Sequence, residues 1–345
     1  MYQSTILKNN FNLLRILAAV QVLIVHSFNH FEIESAFINV LKVFPGVPMF
    51  FFISGYLIGG TYIRNYHKGN KVFFMNRVLR LYPALIICFI FSLLFVYFSG
   101  YFSKINLEAS SLVSWILAQI TFFQFYNAEF MRDYGIGVLN GSLWTISVEI
   151  QFYLLTPVIF FLINKRKLLM FILFFISLIV NIYLRIYLNW DLTYMKLLSV
   201  SFIPWVYMFL LGYICNIYKK DIFQLIAKIN IFIILALYFA SMNLIGLYEL
   251  NAQNGINPIS VLILSILILK FSQLNIYLPK LASNFIDKND LSYGLYIYHM
   301  PIINFLLYKE IHTPIYNVIL TIICSFVFAY FSWKFLEKYM LKLKK

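Results

Sequence analysis

Charge is scarce in this chain, and acidic charge is scarcest. Only 12% of its 345 residues are charged, with 13 Asp and Glu against 27 Lys and Arg. A soluble globular domain carries about 25% charged residues, so that class is excluded. Cysteine is rare as well: Cys88, Cys215 and Cys324 lie far apart, each inside an apolar run. Such spacing excludes a disulfide framework and a CxxC metal pair. Neither a Walker loop nor GxGxxG occurs, so no nucleotide-cradling loop is expected. HSFNH sets His26 and His30 four apart, but it lacks the glutamate of HExxH and a nearby third ligand, and no metal is expected. Long polar linkers are missing too, which leaves one domain over residues 1–345. No small-residue cleavage site follows a short apolar core near the N-terminus, so no removable signal peptide is expected.

What fills the chain instead is apolar. Hydrophobic residues make up 62%, among them 37 Phe and 26 Tyr. The apolar runs are continuous rather than alternating, which speaks against an outer-membrane barrel and for an all-α, polytopic membrane protein. Spans are expected near Phe11–Phe31, Phe44–Ile63, Leu81–Ser99, Leu143–Ile163, Leu168–Leu188, Leu197–Tyr218, Asn230–Glu249, Asn257–Leu278, Leu291–Tyr308 and Pro314–Leu336. Between the second and third lies a basic loop, Arg64 to Arg80. Ser110–Tyr126 is apolar but short and dotted with Ser114, Gln119 and Gln124. Cytoplasmic loops collect Lys and Arg. With ten crossings and both termini inside, most of the basic residues fall on the cytoplasmic side; if Ser110–Tyr126 also crosses, the Lys165–Arg166–Lys167 cluster and the basic C-terminus flip outside. Ser110–Tyr126 is therefore expected as a re-entrant or surface-lying helix in one long external loop, Gly100 to Gly141. Orientation and anionic headgroups then explain the net charge of +14. Membrane lipid is the partner it implies, and no nucleic acid is needed.

Charges inside such a bundle are expensive, about 2.5–3.5 kcal/mol each on insertion scales, and they usually face a protein interior or wet cavity. The first span carries Arg15 and His26. Eleven positions of helix are about 16 Å and nearly three whole turns, so both side chains leave one helix face, one near each end of the hydrocarbon. Glu149 lies about two turns into a span entering from outside, at a similar depth to His26, and is expected as its partner. His299 lies on a span entering from inside, and so is expected on the inner half. Arg77 and Arg80 stand three apart at the entry to the third span, on one helix side, where guanidinium forks suit phosphate oxygens. Plain positive-inside flanking reads that pair equally well, and Arg15 snorkelling to the surface with His26 as a bundle residue is the bland reading of the first helix. Together the polar groups suit a charged donor from the cytoplasm and an acceptor outside, with a histidine as base for a hydroxyl. A transporter or flippase using Arg15, His26 and Glu149 as a relay is the rival class.

Five segments then carry a resemblance: Arg15, ten residues, His26; VPMFFFISGYLI; NRVLRLYP; GSLWTISVEIQFYLLTP; and LSYGLYIYHMP, in this order. The chain resembles the acyltransferase-3 family of bacterial integral membrane acyltransferases over nearly its whole length. That resemblance implies transfer of an acyl group, usually acetyl, from cytoplasmic acyl-CoA to a hydroxyl of an envelope or extracellular glycan or its lipid-linked precursor, at the bacterial cytoplasmic membrane. It implies His26, Arg15 and Glu149 as catalytic residues, with Arg77, Arg80, Tyr296 and His299 toward acetyl-CoA. Trp144, Ser147 and Ser54 fall to the acceptor glycan. Direct transfer and a transient acyl-His26 both stay open.

The topology is checked by cysteine labelling in intact cells, in a background without native cysteines. Probes at Asn127–Gly141 should react and probes at Lys165–Lys167 should not; labelling of the Lys165–Lys167 turn from outside overturns the orientation.

Overall fold

The computed structural model describes residues 10–244, 257–276, 279–311 and 313–344. The ends of the spans expected at Asn230–Glu249 and Asn257–Leu278 reach beyond the described residues. In hydrocarbon every backbone N–H and C=O must be paired internally, and a helix does this within one segment. The described residues are accordingly helical, with no strand among them. In chain order the helices are α1 Phe11–His30, α2 Ala36–Lys42, α3 Gly46–Asn65, α4 Asn70–Ser99, α5 Ala109–Ile120, α6 Trp144–Lys165, α7 Lys167–Tyr187 and α8 Thr193–Ser199. They continue as α9 Val206–Ile217, α10 Lys219–Ala227, α11 Ile231–Leu244, α12 Pro258–Ser272, α13 Lys280–Lys288, α14 Ser292–Lys309, α15 Pro314–Ser332 and α16 Lys338–Lys342. A π-helical turn, Trp333–Glu337, joins α15 to α16.

Among the described residues six helical runs are long and apolar enough to cross a membrane, and a seventh if α10 and α11, bent by 97°, count as one. Helices stand at each of the ten expected spans, but α9 and α12 have only 12 and 15 residues. The count of ten crossings thus rests on the distribution of basic residues and not on helix length. α5 has 12 residues, as α9 does, so its place in the external loop likewise rests on the distribution of basic residues. The stretch 64–80, expected as a loop, is mostly helix, with one turn, Tyr66–Lys68, between α3 and α4. Lys, Arg, Met and Leu are good helix formers, so α4 starts eleven residues before the apolar run and carries Arg77 and Arg80 on helix.

Two features position the interior. First, α3 and α9 cross at backbone contact: a β-carbon on Gly55 would strike the Phe209 carbonyl, and one on Gly212 the Phe52 carbonyl. Small residues permit such close approach, as membrane interfaces commonly use them. Second, the end of the long loop is folded into the bundle against α14. Pro301 cannot donate a backbone hydrogen bond, which frees the Ile297 carbonyl four residues back. Asn140 Nδ2 takes it at 2.8 Å and Cys88 Sγ at 3.2 Å. Ser142 Oγ donates to the Tyr296 carbonyl at 3.2 Å, and Asn304 Nδ2 donates to the carbonyls of Val138 and Leu139 at 2.7 and 2.9 Å. α6 therefore starts inside the bundle, level with the first third of α14.

Replacing Gly55 or Gly212 by Val forces the crossing apart. Overpacking of this kind costs about 1–3 kcal/mol, so each variant should unfold at lower temperature in detergent, and unchanged melting of both would contradict the contact.

Candidate active site

The site begins with an ion-pair cluster at the start of α14. Asp290 precedes that helix, where the positive end of the helix dipole favours an anion. Its Oδ2 accepts from Arg15 at 2.8 Å and from Arg80 at 2.6 Å, and its Oδ1 accepts from Ser292 Oγ at 2.6 Å. Arg80 also lies 3.6 Å from Glu337, a buried residue in the π-helical turn whose other oxygen accepts from Ser332 at 3.0 Å. Burial pushes the Asp290 carboxyl up, but Arg15, Arg80 and Ser292 more than offset it and hold the group well below the usual carboxylate range.

Arg80 is thus engaged by carboxylates, unlike the free phosphate fork expected of it. Arg77 is different. Its guanidinium lies over the rings of Phe73 and Tyr153, at 5.6 and 5.8 Å, and its buried Nε has no hydrogen-bond partner among the described residues. Near it, burial and the guanidiniums of Arg77 and Arg80 push the Lys344 ammonium down to about 8. An unpaired buried donor beside a crowded cation cluster suits an anion, and phosphate oxygens fit this donor set.

From Arg77 a polar column runs inward. Tyr153 Oη donates to Glu149 Oε1 at 2.5 Å, and Ser54 Oγ donates to the same oxygen at 3.3 Å. Glu149, Ser54, Arg15 and Tyr296 line one narrow cavity of about 40 Å³. Tyr296 shares a 2.6 Å hydrogen bond with Thr145, and its ring centroid is 6.1 Å from that of His299. His299, fully buried, meets His26 Nδ1 through its Nε2 at 3.0 Å. His30 lies edge-on to His26 at 5.8 Å.

His26 is therefore bonded to His299, and the expected His26–Glu149 pairing is not what forms. Two shifts in depth explain it. α1 and α14 run parallel, with Asp290 beside Arg15; nine residues above Asp290 and eleven above Arg15, the imidazoles come level, at about 13 and 16 Å of rise. α6 begins inside the bundle, so Glu149 reaches the level of Arg15. Ser147 is not free for a ligand either: its Oγ donates to Gln124 Oε1 at 2.6 Å and fastens the external loop. Trp144 lines a second cavity of about 320 Å³, with Gln119, Gln124, Tyr126, Asn140 and Trp205 among the other residues of its wall, none of them charged. Phe51, which lines the narrow cavity, packs on Trp144 and Trp205 at 6.4 and 5.9 Å, so these rings divide the two chambers.

A family model described as an acyltransferase domain matches residues 8–334. The chain belongs to the acyltransferase-3 family. It is an acyltransferase and a multi-pass membrane protein. Nodulation protein 10 of Rhizobium leguminosarum bv. viciae is 26% identical, over 98% of this chain and 94% of that protein. Peptidoglycan O-acetyltransferase OatA of Listeria monocytogenes is 28% identical over 85% of this chain, and O-acetyltransferase OatA of Staphylococcus aureus is 27% identical over 85%. The chain spans about half the length of these two, 50% and 52%. No solved structure matches.

The motif residues nearest to Asp290 were visible in the sequence; Asp290 itself stands just before LSYGLYIYHMP and reads as an ordinary boundary charge. Asp290→Asn should lower stability by about 1.5–3 kcal/mol, because it takes the shared charge from two half-buried guanidiniums. Since the folded carboxyl is held below its unfolded value of 3.8, this contribution is complete above about pH 4 and falls away below it. Melting in detergent between pH 3 and 7 checks both: the wild type should lose stability at the acid end more steeply than the Asn variant.

Proposed function

We propose that this acyltransferase moves an acetyl group from acetyl-CoA, arriving on the cytoplasmic side, to a hydroxyl of a cell-envelope glycan or its lipid-linked precursor, in the bacterial cytoplasmic membrane. The observation that carries this reading is the succession of polar groups from Arg77 through Glu149, Arg15 and Tyr296 to His299 and His26 within a member of this family. The names of the OatA relatives support O-acetylation of a glycan as the chemistry, with peptidoglycan among the acceptors.

Arg77, with Lys344 beside it, holds the phosphates of the donor at the mouth of the column. The pantetheine arm extends from there along Arg15, Ser54 and Glu149, and the cavity of about 40 Å³ between them widens to admit it. The acceptor sugar enters through the larger cavity, and the rings of Phe51, Trp144 and Trp205 part for its hydroxyl to reach the donor. The amide and aromatic lining of that cavity matches a neutral sugar, since aromatic faces stack on apolar sugar faces while Gln119, Gln124 and Asn140 offer donors and acceptors. In the reaction the sugar hydroxyl oxygen attacks the thioester carbonyl carbon. Its proton passes to His26, the carbon–sulfur bond breaks, and the departing thiolate takes that proton as the thiol. Arg15, about 16 Å of helix rise below His26 and paired with Asp290, aligns the thioester arm along the passage rather than meeting the carbonyl oxygen. Arg80 keeps Arg15 and Asp290 in register, and Glu149 orients Ser54 and Tyr153 along the passage.

Two variants test this. Arg77→Ala should weaken acetyl-CoA binding by about ten- to a hundredfold, the worth of one charge-assisted contact at about 1.5–3 kcal/mol, with melting preserved; Arg77→Lys should recover only part. His26→Ala should lower transfer by about 10²–10⁴-fold with donor binding intact. Ordinary transferase activity in His26→Ala would remove His26 from the chemistry, and unchanged CoA affinity in Arg77→Ala would remove Arg77 from the donor site. Analysis of envelope glycans from a deletion strain identifies the acceptor by the acetyl group it loses.

A further inference from the structure

The hydrogen bonds of His299 determine more than its own orientation. His299 Nδ1 stands 3.1 Å from the Leu295 carbonyl oxygen, one turn back on α14. A carbonyl oxygen only accepts, so Nδ1 of His299 carries a hydrogen and donates it. A neutral imidazole has one N–H, which leaves His299 Nε2 bare and able only to accept. The atom facing it at 3.0 Å is His26 Nδ1. For that contact to be a hydrogen bond, His26 Nδ1 must be the donor. His26 then carries its hydrogen on Nδ1, and its Nε2 holds a free lone pair.

The alternative arrangement is a cationic His299 donating from both nitrogens. It would sit fully buried, and among the described residues no carboxylate is hydrogen-bonded to either imidazole. A buried unpaired charge is far more costly than a neutral ring with both nitrogens satisfied. No other hydrogen bond reaches His26 among the described residues, so nothing competes with His299 for its Nδ1.

We propose that His299 is the positioning residue of the reaction: it selects the His26 tautomer protonated on Nδ1, so that the bare Nε2 is the atom that accepts the hydroxyl proton. This rests on the reading of His26 as the base. When Nε2 takes the proton, both nitrogens of His26 carry hydrogen, and the bond from Nδ1 to His299 Nε2 becomes charge-assisted and shortens. When the leaving sulfur collects the proton from Nε2, the starting tautomer returns. The role is that of the carboxylate in a serine-protease triad, where a partner that holds the wrong tautomer costs about 10⁴ in kcat. Here a neutral nitrogen performs it, which spares the bundle a second buried charge.

The tautomer can be read without turnover. Protein with ¹⁵N-labelled histidine in lipid nanodiscs should show, by solid-state NMR, a His26 with protonated Nδ1 and unprotonated Nε2, assigned by loss of its signals in His26→Ala. His299→Gln keeps an acceptor oxygen near the place of Nε2; it should retain the Nδ1–H form and stay within about tenfold of wild-type kcat. His299→Leu removes the acceptor at similar volume. It should release the Nδ1 preference and lower kcat by about a hundredfold or more, with KM for acetyl-CoA little changed. Transfer is followed with acetyl-CoA and tetra-N-acetylchitotetraose, and with envelope glycan from the deletion strain. A wild-type His26 protonated on Nε2, or equal kcat in the Gln and Leu variants, overturns the assignment and leaves the proposed reaction standing. Absence of transfer by wild-type protein on every acceptor sinks the reaction itself, whatever the tautomer.

Discussion

Asp290 is the group to which the polar interior is tied. One carboxylate oxygen holds Arg15 of α1 and Arg80 of α4, and the residue itself opens α14. Three helices are thus fastened at one point. These groups are half-buried, and removing one member leaves the others without their countercharge. The pairing also sets the offset between α1 and α14, and that offset brings two imidazoles level a few turns further along. A one-turn slip of either helix would move them about 5.4 Å apart along the axis, and the histidine bond would be lost together with the ion pair.

Much of this was legible beforehand, and the reasons differ from residue to residue. Arg15, His26 and Glu149 announce themselves because a polar side chain within an apolar run has to face protein. Ser54 and Tyr296 lie in motifs close to those residues, and they do share the narrow cavity. Which polar group meets which was not readable. Asp290 lies at a helix boundary, where a charge has no need of explanation. Counting residues inward from presumed membrane surfaces put Glu149 beside His26, and it failed because the loop before α6 does not stay at the surface. The sign of that burial was present in a single residue: Pro301 in YHMP leaves the Ile297 carbonyl open, and something has to satisfy it. Helix extent was misjudged for another reason, because the basic residues of 64–80 form helix as readily as the apolar ones.

The column and the larger cavity differ in how they are built. Inside the column several side chains are paired specifically: Tyr153 with Glu149, Thr145 with Tyr296, His26 with His299. Interior networks of this kind are costly when any member is missing. The uncharged aromatic and amide groups around Trp144 make a more forgiving surface.

The inward fold of residues 136–142 has a consequence for how such a protein can diversify. The first half of that segment is held through backbone atoms, the Ile136 amide and the Val138 and Leu139 carbonyls bonding to Asn304, and its second half through the Asn140 and Ser142 side chains. Backbone contacts do not depend on which side chain a position carries. Val138 can therefore be exchanged, and the cavity it lines reshaped, while the chain path beneath stays anchored to α14. The shape of that chamber is thus set by wall side chains, while the path of the backbone beneath them is set elsewhere.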